Sequence, residues 1–176
     1  MKNFTKIIGL GLGVVFLTAC SGGACSEYGD QLCVEDAGFT IGMDKDSVVD
    51  VSSFATPDGD VDLYVYSEEG EDGGWVASYG EFPVPVAEDD VELVLGSFAT
   101  GAMGSLGIED LEIDELVELN GVAGIHQRGV TSDGAVFVEY YAYLNHPTFY
   151  QLMYINGGEA PSEEELQSTV GSFEIL

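Results

Sequence analysis

Ala135-Val136-Phe137-Val138-Glu139-Tyr140-Tyr141-Ala142-Tyr143-Leu144 is followed, across His146-Pro147, by Thr148-Phe149-Tyr150-Gln151-Leu152-Met153-Tyr154-Ile155. Large side chains fall on both alternating faces of the first run. Val136, Val138, Tyr140 and Ala142 share one face, and Phe137, Glu139, Tyr141 and Tyr143 share the other. Successive strand residues point to opposite sides of a sheet, so two strands of this composition ask for cover on both sides. One layer of helix would not suffice. The stretch predicts the centre of a sheet held between two further layers.

Upstream, Asp133-Gly134 and Asn120-Gly121 are hairpin dipeptides, the second leading from Leu111, Ile113 and Leu116 into a strand from Val122 to Val130. The period changes before them. Glu88, Asp89 and Asp90 place negative charge where a helix N-terminus favours it, and Val91, Val94, Leu95, Phe98, Ala102 and Leu106 fall near one helical face. Gly101, Gly104 and Gly107 predict that this helix stops among them. Earlier still, Phe39, Ile41 and Met43 alternate, as do Val49 and Val51, and Pro57-Asp58-Gly59-Asp60 turns the chain into Val61, Leu63 and Val65. Trp75, Ala77 and Tyr79 make another strand, ended by Pro83 and Pro85. Downstream, Pro161 and the capping-box sequence Ser162-Glu163-Glu164-Glu165 open a second helix, with Leu166, Val170 and Phe173 on its stripe. The expected fold class is α+β: a mostly antiparallel, twisted sheet flanked by helices, in one domain over residues 37–176.

Composition states what the chain avoids. Its 176 residues are 45% hydrophobic and 11% aromatic, enough for a real core and unlike an acidic disordered tail. Four Lys and Arg stand against 32 Asp and Glu, a net charge of −28. Such a surface repels a phosphate backbone, which excludes nucleic acid as a partner, and it disfavours direct docking on anionic lipid. It also repels itself unless screened, as salt adaptation would allow; an acidic binding face is the other reading of the same charge.

The N-terminus is more specific. Lys2 and Lys6 precede an apolar run from Ile7 to Leu17 that is too short to span a bilayer. The closing Leu17-Thr18-Ala19-Cys20 resembles the lipobox of bacterial lipoproteins. That resemblance implies a signal peptide over residues 1–19, cleavage before Cys20, and acyl chains on the Cys20 sulfur as the membrane contact; several chains on one residue anchor stably. An ordinary secretory signal, with Cys20 a disulfide cysteine, is the alternative. Cleavage would remove two of the four cations and none of the acids, leaving −30, with Lys45 and Arg128 as the remaining cations. Ser21 after the cysteine resembles an outer-membrane address if the source is a diderm.

Cys25 and Cys33 bracket a short polar segment. In an oxidising compartment they read as one small disulfide loop, with free thiols as the alternative; zinc would need more ligands than lie nearby. Residues 20–36 are expected to act as a lipidated tether carrying the domain away from the membrane.

The leading Gly38-Phe39-Thr40-Ile41 strand, the Thr56-Pro57-Asp58-Gly59 hairpin, Tyr64 to Tyr66, Trp75 to Tyr79 with Phe82-Pro83, the mid-chain helix, Asn120-Gly121-Val122-Ala123-Gly124, Phe149-Tyr150-Gln151-Leu152 and the closing Gly171-Ser172-Phe173 follow one another in an order similar to that of the PsbP-like family. Met43-Asp44-Lys45-Asp46 departs from it, where relatives often have Met-Pro. The resemblance implies an α/β/α sandwich and a protein-binding or assembly role without catalysis, nearest to bacterial lipoproteins of that fold.

The residue inventory points the same way. There is no Gly-x-Ser-x-Gly elbow, no Ser-x-x-Lys, and no phosphate-cradling loop followed by lysine. His126 and His146 lack motif partners, and no cofactor is expected. Asp58, Asp60 and Asp62, with Glu69 beyond, imitate the spacing of a calcium loop, but Leu63 stands where its glycine belongs, so a solvated turn is the stronger reading. Tyr140, Tyr141, Tyr143, Phe149, Tyr150 and Tyr154 crowd two strands. Either two layers bury them, or some stay exposed as anchors of an interface or a small-ligand groove. The expected function is that of a non-enzymatic, lipid-anchored envelope protein with an assembly or accessory domain that binds another envelope protein. The alternative is a binding module for a small ligand or divalent cation.

Overall fold

The computed structural model describes residues 24–56, 58–70, 73–157 and 160–176. Its centre is a seven-stranded antiparallel sheet. Two hairpin pairs begin and end it: β3 (Val48–Thr56) with β4 (Gly59–Glu69), and β6 (Leu111–Leu119) with β7 (Val122–Val130). Between them run β5 (Gly73–Glu81), β8 (Phe137–Asn145) and β9 (Thr148–Asn156), in the spatial order β3-β4-β5-β9-β8-β7-β6. The turn chemistry is local and sets the register. Asn120 and Gly121 both take positive φ, as a two-residue turn between Leu119 and Val122 requires. His146-Pro147, a cis bond, joins Asn145 to Thr148.

One face of this sheet is covered by α1 (Val91–Ser105), which buries Leu95, Ala99 and Met103 against Ile125, Val138, Tyr140 and Ala142. The helix runs through Gly101 and Gly104 and closes at Gly107, whose φ of +76° suits the left-handed residue after a helix end. Glycine inside a helix weakens it, but the burial of this apolar face carries α1 past both positions.

The other face corrects the expected fold class. Among the described residues no helical layer lies there, and the fold is not an α/β/α sandwich. The cover is a second, three-stranded antiparallel sheet of β1 (Gln31–Val34), β2 (Phe39–Asp44) and β10 (Glu174–Ile175), with β2 in the middle. Phe39, Ile41 and Met43 point from β2 into a core shared with Ala77, Tyr143, Tyr150 and Leu152. The Phe39 ring lies 5.7 Å from that of Tyr150 and 5.9 Å from that of Phe173, and the Tyr150 hydroxyl donates to the Ala37 carbonyl at 2.8 Å.

The second helix, α2 (Glu163–Thr169), forms as its capping box dictates: the Glu165 N–H donates to Ser162 Oγ and the Ser162 N–H donates to the Glu165 carboxylate. It has only seven residues. Phe173, expected on its stripe, lies beyond it, after a 3-10 turn at Val170–Ser172 that delivers the chain to β10. Gly42 receives that turn: its N–H donates to Ser172 Oγ at 2.6 Å, and a Cβ there would lie 2.9 Å from the Ser168 carbonyl oxygen.

The tether reading of residues 20–36 is corrected for residues 24–36. They carry a 3-10 turn at Ala24–Glu27 and β1, and Leu32 is buried in the second core, because β2 needs a partner on the edge that β10 does not occupy. No helix among the described residues is long and apolar enough to cross a membrane.

Candidate functional site

The aromatic residues of β8 and β9 do not form an exposed interface. Tyr140, Tyr143, Phe149, Tyr150 and Tyr154 are buried, and Tyr141 is half-buried. Strand alternation sends Tyr140 and Phe149 under α1 and Tyr143 and Tyr150 into the core shared with the small sheet, while the Tyr154 ring packs 4.9 Å from that of Trp75. Burial pushes the Tyr143 hydroxyl up to about 12. Asp58 sits in the turn, Asp60 and Asp62 are exposed positions on β4, and no three ligating side chains among the described residues come together as a metal site. Cys25 and Cys33 are disulfide-bonded, their Cα atoms 5.5 Å apart. Cys20 lies outside the described residues.

The structure brings together a charged cluster that the sequence reading missed. His126 and Arg128, two residues apart on β7, project from one face, and Glu139 and Tyr141 project from the same face of β8. The Glu139 side chain is completely buried. Its Oε2 accepts from Arg128 Nε at 2.6 Å; its Oε1 accepts from Arg128 Nη2 at 3.1 Å and from the Tyr141 hydroxyl at 3.2 Å, and lies 2.5 Å from His126 Nε2. His126 Nδ1 lies 3.2 Å from Glu115 Oε1 on β6, and its ring stacks on Tyr141 with centroids 4.2 Å apart. Burial drives the Glu139 carboxyl upward, but the hydrogen bonds from His126 and Arg128 outweigh it and hold the group below its ordinary value of 4.5. Oε1 meets three partners and Oε2 one, and with Glu115 on His126 these contacts work as a knot joining β6, β7 and β8. The signal available in the sequence was one of the two cations beyond residue 20, in His126-x-Arg128, and a lone acid, Glu139, inside an apolar run.

The open concavities lie on the other face, beside α1. Towards β3, β4 and β9 a groove of 450 Å³ is lined by Phe54, Leu63, Phe98, Ala102 and Phe149. Towards β6 and β7 a second groove of 680 Å³ is lined by Glu92, Leu93, Asp114, Ile125 and Gln127. Both are shallow depressions open to solvent. They share Ser97 and Gly101 on the helix, and a Cβ placed at Gly96 or Gly101 would meet nothing within 4 Å. Small side chains on α1 thus keep both grooves wide. In the second groove Gln127 is 3% exposed; its Nε2 donates to Asp114 Oδ1 at 2.9 Å, and its Oε1 is buried without a partner among the described residues.

No protein-family model matches the chain, and no curated protein is found to be similar to it.

Proposed function

We propose that the chain is a lipid-anchored envelope protein, held through Cys20, whose folded domain is a non-catalytic binding module that takes a small ligand alongside α1. The observation that carries the binding role is the pair of grooves kept open by Gly96, Ser97 and Gly101. The buried Glu139 carboxylate is held by His126, Arg128 and Tyr141, which supports a structural role for this cluster. The anchor rests on Leu17-Thr18-Ala19-Cys20.

Two measurements test this reading. Cys20→Ala should move the protein from the membrane fraction to the soluble fraction; a variant that stays in the membrane fraction refutes the anchor. A small-molecule panel at constant ionic strength should contain compounds that raise the melting temperature of the wild-type chain but not of Gly101→Leu, which places a bulky side chain at a position lining both grooves. Identical responses from the two proteins refute the α1 site.

A second reading, an accessory domain that binds another envelope protein, is favoured by β3. This edge strand of the large sheet exposes Val48 (63%) and Val51 (41%), and an extended segment could pair with it. Cross-linking in cells should then converge on β3 rather than scatter over the acidic surface.

A further inference from the structure

We infer that β3, the outer strand of the large sheet, pairs through its backbone with an extended segment of another protein, one that carries Lys or Arg on both sides of a short β-branched run. This rests on the second reading above, of β3 as a protein-binding edge, and it names the chemistry of the partner.

The two edges of the large sheet are built differently. β6, at one end, has four carboxylates in nine residues, Glu112, Asp114, Glu115 and Glu118, and its pairing with β7 is interrupted between Leu111 and Ile113. Charge and broken register are what keep an open strand from pairing with another chain. β3, at the other end, has neither guard. Its nine residues hold one charged side chain, Asp50, and no Pro or Lys, in a chain that is 20% charged. The ladder to β4 runs without interruption from Val48 opposite Ser67 to Thr56 opposite Gly59. The far side of β3 pairs with no strand among the described residues, so its outward N–H and C=O groups are open to one.

Both faces of the sheet are unfinished at this edge. On one, Tyr150, Tyr79, Tyr64 and Val51 lie opposite one another across four strands, and the row ends at Val51, 41% exposed. On the other, the Phe54 ring lies 5.5 Å from that of Phe98 on α1 and 6.2 Å from that of Phe149 on β9, while Val48, on the same face by alternation, is 63% exposed. An added strand lays alternate side chains on both faces, and β-branched residues fit such positions.

The flanks set the charge of the partner. Exposed Asp44 and Asp46 precede β3, and exposed Asp58, Asp60 and Asp62 follow it. Lys45, between the first two, is bound to Asp30 at 2.7 Å. An uncharged middle between acidic ends is complemented by an uncharged middle between basic ends. A second copy of this chain is the poorer occupant, because it would set −28 against −28 and lay its own acidic flanks against these.

Any basic peptide will gather loosely around so acidic a chain, so the test must separate strand pairing from charge. Titration calorimetry and hydrogen exchange on the full-length chain in about 0.15 M NaCl, where the Debye length is about 8 Å, would compare three peptides. The first is Lys-Lys-Thr-Val-Thr-Val-Thr-Val-Lys-Lys. The second has Pro in place of each Thr, which keeps the charge and removes backbone donors, and the third has Glu in place of each Lys. The expected result is saturable 1:1 binding of the first, at least about tenfold tighter than the other two, with slowed exchange at the β3 amides that do not bond to β4. Val51→Lys should weaken it by about fivefold or more, whereas Leu116→Lys, the same charge change at an exposed position on β6, should change it by less than about twofold. Equal binding of the Pro peptide, wild-type affinity in Val51→Lys, or protection at β6 in place of β3 overturns the inference. Equal binding of the Glu peptide with protection at β3 overturns the basic partner but leaves β3 as a protein-binding edge. Protection of β3 in the free chain that grows with its concentration puts a second copy there and overturns the inference as well. No saturable binding by any of the three overturns it too, and the convergence of in-cell cross-links on β3 then decides the broader reading separately.

Discussion

Arg128 and Glu139 are directly opposed across the β7–β8 ladder, and their side chains join through two hydrogen bonds, Nε to Oε2 at 2.6 Å and Nη2 to Oε1 at 3.1 Å. One end of the pair is sealed and the other is not: Glu139 is fully buried, while the Arg128 side chain retains 28% exposure. Breaking such a pair from the arginine side strands the carboxylate. Arg128→Met should lower stability by about 3 kcal/mol, the lower end of the range for an orphaned buried charge, because His126 and Tyr141 still donate to or face Glu139. Urea unfolding measures this, and a loss below about 1 kcal/mol would show that the knot is not a stability element.

The same carboxylate predicts a pH dependence with a definite sign. Its folded value lies below the ordinary 4.5, so the folded state binds its proton less readily than the unfolded chain does. Its contribution is fully present above about pH 4.5 and is lost as pH falls through the lower folded value. Glu139→Gln, which has no such titration, should show a flatter acid limb of stability below pH 4.5 than the wild type. Parallel acid limbs in the two proteins would place the acid sensitivity elsewhere.

Two glycines predict opposite outcomes for one substitution. At Gly80 a Cβ would lie 2.8 Å from Phe149 Cε1 and 2.9 Å from the Asp62 carbonyl oxygen, and that backbone oxygen belongs to the paired strand β4 and cannot turn aside. Gly80→Ala should cost about 1–3 kcal/mol. At Gly101 the space is open and the helix gains, so Gly101→Ala should stabilise by up to about 1 kcal/mol. Thermal unfolding of the two variants checks both signs.

Removal of the Cys25–Cys33 bridge, whose partners are eight residues apart, should cost about 2–3 kcal/mol by freeing the unfolded chain. The loss should be felt first at β1, whose Cys33 pairs with Thr40 of β2. Hydrogen exchange on the Cys25→Ala/Cys33→Ala chain should show the β1–β2 ladder opening more readily than β7–β8.

What could be read from residues alone was local or periodic. Asn120-Gly121 demands positive φ at both positions whatever surrounds it, and Ser162 and Glu165 cap one another across three residues. The second layer was not legible for the converse reason. β10 pairs Glu174 with Thr40, and β1 and β2 meet the large sheet only through side chains that alternate like those of any strand. A short acidic segment with Leu166, Val170 and Phe173 at helical spacing reads as a helix until Phe173 is claimed by Phe39, Tyr143 and Tyr150. The aromatic residues of β8 and β9 suggested an interface because their cover on one side is built from strands far away in the chain. Gln127 is invisible in the sequence, since its meaning depends on Asp114 beside it and α1 above the sheet.

The central claim is that ligand binding takes place alongside α1, and backbone amide spectra of the full-length chain, titrated at constant ionic strength with the compounds that raise its melting temperature, test it most directly. The account predicts saturable shifts concentrated at Leu93, Gly96, Gly101, Ile125 and Gln127. Shifts spread evenly over the acidic surface, or centred on the β3 edge or the Glu139 knot, would contradict it.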